Sequence, residues 1–349
     1  MTATIDTHGE QAEGMVGAQS PAPTSGGILV PEHWVPTPTT VSPAAQAFLE
    51  MKLDLGDHAM PRSAEDLAGW KAFREAANAG VVAMGRARSA LYPAEVVTHE
   101  LSASKVYEIT PNNLAPDREG LAMIYIHGGG FVAGDGEAAI HIAQQFATAA
   151  RTKVYSVDYR VVPDHPFPAP LDDSIEAYRC VLERHPAAGI GIFGPSAGAN
   201  LAATTLLKAR DLGLPMPAAC ALHSCPSDMT GFGDTGYTNF QVDVILRQSQ
   251  PELLDIYAAG HGDPRDPLLS PVYADYAKGF PPTILLSGTR DLLLSGTVRL
   301  HRAMVSAGVE AELHVWEAMT HAPFFGAPEE DELYAQIVTF LIKRMAAKP

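Results

Sequence analysis

The sequence predicts an α/β fold, a mostly parallel sheet with helices on both faces. Two observations carry that prediction. From about residue 106 to residue 345, short β-branched or apolar runs alternate with helical stretches of about 10–15 residues, the rhythm of strand–helix–strand units. The chain has 349 residues and is 46% hydrophobic, enough for one large α/β domain with a small cap.

The elements follow in order. Residues 1–41 are rich in Pro, Gly, Ser and Thr and read as a flexible arm. Within the arm, Ile28 to Pro31 and Trp34 could dock onto something, a second subunit included. Residues 42–94 turn helical: Ala45, Phe48, Leu49 and Met51 to Leu55, then Ala64 to Ala83. These helices precede any expected strand and are candidates for a cap. Residues 95–349 are expected to form the main α/β domain. Its strands are expected at Val106 to Ile109, Leu121 to Ile126, Val154 to Val157, Ile190 to Phe193, Ala218 to His223, Thr283 to Ser287 and Ala311 to Trp316. Helices are expected at Ala138 to Ala150, Leu171 to Glu183, Ala199 to Leu212, Thr297 to Ala307 and Asp331 to Met345. Residues 227–266 break the rhythm, with a helix at Glu252 to Ala259. A long irregular insertion in a regular repeat reads as a lid or binding loop.

Composition excludes several classes. The formal charge is −16, which disfavours nucleic acid and anionic membranes as partners, since both need basic patches. No run of about 18 apolar residues occurs, so no stable membrane insertion is expected. The first residues are polar and acidic, which argues against a secretory signal. Three cysteines, Cys180, Cys220 and Cys225, give neither a disulfide framework nor a metal-ligand pattern. The expectation is a cytoplasmic chain, with no cofactor and no metal.

The sharpest motif is Gly194-Pro195-Ser196-Ala197-Gly198, a G-x-S-x-G pattern between an expected strand and an expected helix. A sharp strand-to-helix turn needs glycine on both sides, because a Cβ would meet neighbouring backbone. The turn lifts Ser196 to a helix N-terminus, where amides and dipole favour developing negative charge. His127-Gly128-Gly129-Gly130-Phe131 follows the strand Leu121 to Ile126. Three glycines in a row let backbone N–H groups approach a substrate oxygen, as an oxyanion hole requires. Gly128 and Gly129 are the assigned donors, with Ala197 as the third; which two of the three glycines donate stays open.

These motifs resemble the bacterial hormone-sensitive-lipase-like esterases, α/β-hydrolases with an H-G-G-G motif. The block Asp158-Tyr159-Arg160-Val161-Val162-Pro163-Asp164-His165-Pro166-Phe167-Pro168-Ala169 resembles that family's D-Y-R-L-A-P-E-H-P-F-P-A. The resemblance spans roughly residues 95–345. It implies the α/β-hydrolase fold, an eight-stranded, mostly parallel sheet with a cap, and hydrolysis of esters, often short-acyl ones. Dimers are common in the family, which leaves a homodimer open. One departure is Pro195, where members carry Asp or Thr; proline fixes φ and removes an N–H.

Acid and base follow the serine in the order Ser, Asp, His. Asp291, after the strand Thr283 to Ser287, resembles the family's acid. The competing reading of Asp291 is a helix-start cap, and Asp266 is a rival carboxylate that precedes the strand. His321, in Met319-Thr320-His321-Ala322-Pro323-Phe324 after the last expected strand, resembles the family's histidine; it is one of 13 histidines. His314 reads as a sheet-face residue, and His127 as a support for the glycine loop. Arg160 and Asp164 read as parts of a rigid structural loop.

The expected chemistry is two-step acyl transfer to a small-molecule ester's carbonyl, without a cofactor. Activity is expected to rise with pH around the ordinary histidine value of about 6.5. Amides, thioesters, carbamates and lactones are alternative substrates. A non-catalytic receptor on the same fold is the other alternative; the receptors that resemble this family lack the triad histidine, and His321 is present here.

Overall fold

The structure is a computed structural model that describes residues 33–51, 60–61, 63–246 and 251–345. Residues 1–32 of the expected arm at 1–41, with its apolar stretch Ile28 to Pro31, lie outside the described residues, as does the helical pattern at residues 52–55. The chain divides into residues 1–35 and 36–349, and the fold below belongs to the second unit.

An eight-stranded sheet organises that unit. Its strands are β1 (Ala94–Glu100), β2 (Lys105–Pro111), β3 (Ala122–Ile126), β4 (Lys153–Asp158), β5 (Ile190–Pro195), β6 (Ala219–His223), β7 (Thr283–Gly288) and β8 (Ala311–Trp316). The spatial order is β1-β2-β4-β3-β5-β6-β7-β8. β2 runs antiparallel to β1 and β4, and the remaining neighbours are parallel. All seven expected strands are present.

The central strands are buried on both faces, and their side chains alternate between two cores. In β3, Ala122, Ile124 and Ile126 enter one cluster while Met123 and Tyr125 enter the other. Helices α4 (Ala169–Leu182), α5 (Ala197–Asp211) and α8 (Leu294–Ser306) supply the first core through residues such as Leu171, Leu206 and Leu300. Helices α3 (Glu137–Ala150) and α9 (Pro328–Arg344) supply the second through Phe146, Leu333 and Phe340.

β1 was not expected, and its sequence explains why. Ala-Glu-Val-Val-Thr-His-Glu has no apolar run, and most of the strand is exposed. It exists because it pairs with β2 along its whole length, from Ala94–Pro111 to Glu100–Lys105. A hairpin edge needs only one partner, so pairing outweighs a weak local signal.

The helices before the sheet do two different jobs. α1 (Pro43–Leu49) starts at Ser42, whose Oγ accepts the amide of Ala45, and it packs Phe48 on Phe324 and Phe325 beside the His321 loop. α2 (Leu67–Arg88) buries Trp70 completely. Asn78 of α2 donates to Asp135 and accepts from the amide of Gly134, just beyond the glycine loop. Among the described residues no helix is long and apolar enough to cross a membrane.

Candidate active site

Ser196 sits between β5 and α5 with φ 54°, a left-handed conformation rare for a side chain larger than hydrogen. Strand pairing ends at Pro195 opposite His223, and the amide of Ser196 donates to the His223 carbonyl at 2.8 Å. Pro195 is therefore accommodated at the strand's last position. The flanking glycines are sterically required. A Cβ on Gly198 would lie 2.0 Å from the Ile126 carbonyl oxygen, and one on Gly194 would lie 2.6 Å from the same atom. Both contacts are with backbone, which cannot step aside cheaply.

The glycine loop lies directly against this turn. A Cβ on Gly128 would come within 3.0 Å of the Pro195 carbonyl oxygen and 3.4 Å of the Ser196 Cβ. Among the described residues the amides of Gly128, Gly129 and Ala197 donate to no backbone carbonyl. His127 supports the loop as expected. Its Nδ1 meets the Gly128 carbonyl at 2.8 Å, and its ring stacks on Tyr159 at 4.0 Å. The Tyr159 hydroxyl donates to the His127 carbonyl at 2.9 Å, and the amide of Val162 donates to the Phe131 carbonyl.

The Arg160 region thus braces the loop. Arg160 itself forms a forked ion pair with buried Asp173, with Nε at 2.9 Å and Nη2 at 2.8 Å, and Asp164 pairs with Arg74 of α2 at 3.1 Å.

His321 follows β8, and its Nε2 lies 2.8 Å from the Ser196 Oγ. Its Nδ1 lies 3.5 Å from Asp291 Oδ1, longer than a good hydrogen bond. A residue that sequence reasoning missed fills that gap. Ser224, just after β6, donates its hydroxyl to Asp291 Oδ2 and has its Oγ 3.0 Å from His321 Nδ1. A hydroxyl that has donated its one proton can only accept there. His321 therefore carries its proton on Nδ1 and presents a lone pair at Nε2 to Ser196. Ser224 has φ 55°, so this position too is strained.

Asp291 is fully buried and also accepts from the Ser287 hydroxyl at 2.5 Å and the amide of Leu293 at 2.9 Å. The second contact closes a local turn; helix α8 starts after Leu293, which has no side-chain cap, so Asp291 is not the helix-start cap of the competing reading. Burial raises its pKa, but the His321, Ser224 and Ser287 contacts outweigh burial and hold it below the ordinary value. Burial alone would lower the pKa of His321. The close approach and charge of Asp291, with the charge of Asp243, reverse that and leave it raised. Asp266, the rival acid, pairs with His261 at 2.8 Å instead. His314 lies in β8, as expected.

The 227–266 insertion touches the site at two places. Its helix α7 (Pro251–Tyr257) places Leu253 against Gly130, where an added Cβ would sit 2.6 Å from Leu253 Cδ2, and stacks Tyr257 on Phe131 at 3.6 Å. Its 235–246 stretch, which opens with the short helix α6 (Thr235–Thr238) and carries Asn239 and Asp243, holds the Asp291 and His321 loops by hydrogen bonds. Neither residue carries a sequence signal of its own.

A sequence profile described as the alpha/beta hydrolase fold matches residues 123–325. An acetyl-hydrolase of Streptomyces hygroscopicus is 32% identical over 232 residues, 66% of this chain and 75% of that one. An ethyl acetate hydrolase of Pseudomonas putida is 30% identical over 220 residues, 59% of this chain and 67% of that one. The crystal structure of esterase E25 superposes with a TM-score of 0.83 at 33% identity, covering 92% of this chain and 99% of that one. A hormone-sensitive lipase from a metagenome library gives a TM-score of 0.70 at 26% identity, covering 87% and 96%. The chain belongs to the α/β-hydrolase fold family and, within it, to the hormone-sensitive-lipase-like esterases.

Proposed function

We propose that the chain is a serine carboxylesterase acting on small, short-acyl esters through an acyl-enzyme. Ser196 is the nucleophile, His321 the base and Asp291 the acid; Gly128, Gly129 and Ala197 supply the oxyanion donors. The observation that carries this reading is the 2.8 Å contact between His321 Nε2 and Ser196 Oγ, beside amides that donate to no backbone carbonyl among the described residues. His321 takes the serine proton as Oγ attacks the ester carbonyl, and returns it to the leaving alcohol. Water then repeats the sequence on the acyl-enzyme and releases the acid. Asp291, partly through Ser224, holds the imidazole's tautomer and stabilises its charged form. The cap is read as α2 with the 227–266 insertion. The three cysteines are buried and unpaired, which fits a reducing compartment such as the cytoplasm.

The short-acyl preference follows from what the relatives' names say they cleave, acetyl groups and ethyl acetate. A panel of p-nitrophenyl acetate, butyrate, octanoate and laurate, with a matched thioester, lactone and anilide, tests it. Acetate or butyrate is expected to give the highest kcat/KM, with laurate at least about tenfold slower. An anilide or lactone turned over faster than every ester would contradict the reading.

A further inference from the structure

The insertion between β6 and β7 brings a second carboxylate to the site. Asp243 is fully buried. Its Oδ1 accepts the amides of Ile245 and Leu246, each at 3.0 Å, within its own turn. Its Oδ2 accepts the amide of Leu292 at 3.0 Å and the amide of His321 at 3.1 Å. Leu292 directly follows Asp291. One oxygen atom therefore ties the backbone of the acid to the backbone of the base. The same segment reinforces the acid loop: Asn239 Nδ2 donates to the carbonyls of Asp291 at 2.8 Å and Thr289 at 3.1 Å. Thr235 exchanges hydrogen bonds with Ser295, each at 2.9 Å.

We infer that Asp243 is a positioning residue of the hydrolytic site, a clamp that holds the acid loop and the histidine loop in register and makes catalysis depend on how the 235–246 segment is seated. This inference rests on the ester-hydrolase reading above.

The chemistry of the side chain makes the role specific. A carboxylate offers about four acceptor positions on two oxygens, and four N–H groups occupy them here. An asparagine of the same size accepts on one oxygen only, so its NH2 would face two N–H donors on the other side. Either the turn or the clamp must then open.

The clamp also has an electrostatic signature. The titratable groups that act on Asp243 are His321 and Asp291, and both of these also act on His223. Burial and the charge of Asp291 push the Asp243 pKa up, whereas His321 and the amide donors favour its ionised form. Four donors leave no acceptor for a carboxyl proton, so the site holds the anion. His223 is driven down to about 4 by burial and stays neutral. The imidazole of His321 thus feels two negative charges, and removing one should ease its deprotonation.

The test is Asp243→Asn, assayed with p-nitrophenyl acetate beside Ser196→Ala and checked by thermal melting. The clamp predicts kcat lower by about 10- to 100-fold with KM within about threefold, since a displacement on the order of 1 Å at the base costs rate rather than binding. It also predicts an acid limb of kcat/KM displaced to lower pH, which a purely structural role would not move. A folded Asp243→Asn with wild-type kcat and an unmoved limb would overturn the clamp while a dead Ser196→Ala left the esterase reading standing. An active Ser196→Ala would overturn both. If Asp243→Asn does not fold, amide exchange in the wild-type protein labelled with 15N-histidine and 15N-leucine decides. The amides of His321 and Leu292 should exchange at least about 100-fold slower than exposed loop amides; unprotected exchange at both would overturn the clamp.

Discussion

Ser196→Ala is expected to lower the turnover of p-nitrophenyl acetate by about 10⁴- to 10⁶-fold and to leave the melting temperature nearly unchanged. The reasoning separates chemistry from folding. Among the described residues the hydroxyl bonds only to His321 Nε2, and the backbone amide keeps its own partner, the His223 carbonyl. Alanine at φ 54° is no more strained than serine. Glycines 194 and 198, the steric requirement of the turn, are untouched. What disappears is the covalent route. The amides of Gly128, Gly129 and Ala197 can still polarise a bound carbonyl, so some catalysis over water should survive, without an acyl-enzyme burst. Stopped-flow and steady-state assays with a thermal melt would check this. Turnover within tenfold of wild type would show that another group attacks the ester.

Asp291→Asn is expected to cost about 10³- to 10⁴-fold in kcat. Asp291 accepts from Ser224, Ser287 and Leu293, donates to none of them, and lies 3.5 Å from His321 Nδ1. An amide must turn its NH2 toward one of these donors. If it faces Ser224, the serine hydroxyl can no longer donate to residue 291, and its proton is free to turn toward His321 Nδ1. The imidazole then moves its proton to Nε2, where it cannot accept from Ser196. The pH profile gives a second readout. In the wild-type protein His321 must be neutral to act as base, and its pKa is raised by Asp291 and Asp243 against the lowering effect of burial. Activity should therefore rise with pH to a midpoint above about 6.5, higher than the ordinary histidine value suggests. Without the Asp291 charge, burial counts for more and the residual activity should have a lower midpoint. A wild-type midpoint well below 6, or a limb that Asp291→Asn leaves in place, would contradict this account of the electrostatics.

The strand–helix alternation made the sheet legible because central parallel strands are apolar along their whole length, and such runs stand out from the helices between them. β1 was not legible, because an exposed hairpin edge is made by its neighbour rather than by its own residues. That Ser196, Asp291 and His321 would lie together was legible because their positions follow from chain order and strand ends, and the glycine motifs because a close approach of backbone admits no other residue. Ser224 and Asp243 were not legible. Ser224 is one small polar residue at the end of an apolar strand, and Asp243 one acidic residue in an irregular insertion. Each takes its role from partners 49 to 97 positions further along the chain, and local sequence carries no trace of them. The insertion was expected to act as a lid or binding loop. Its α7 packs Leu253 against the glycine loop, while its 235–246 stretch hydrogen-bonds the Asp291 and His321 loops.

Treating the full-length protein with an equimolar fluorophosphonate and mapping the adduct by peptide mass spectrometry tests the convergence of hydroxyl, imidazole and amides most directly. A single modification on Ser196, formed at a rate that climbs as the histidine deprotonates, is the predicted outcome. An unmodified Ser196 in active protein, or an adduct on any other serine, would contradict it.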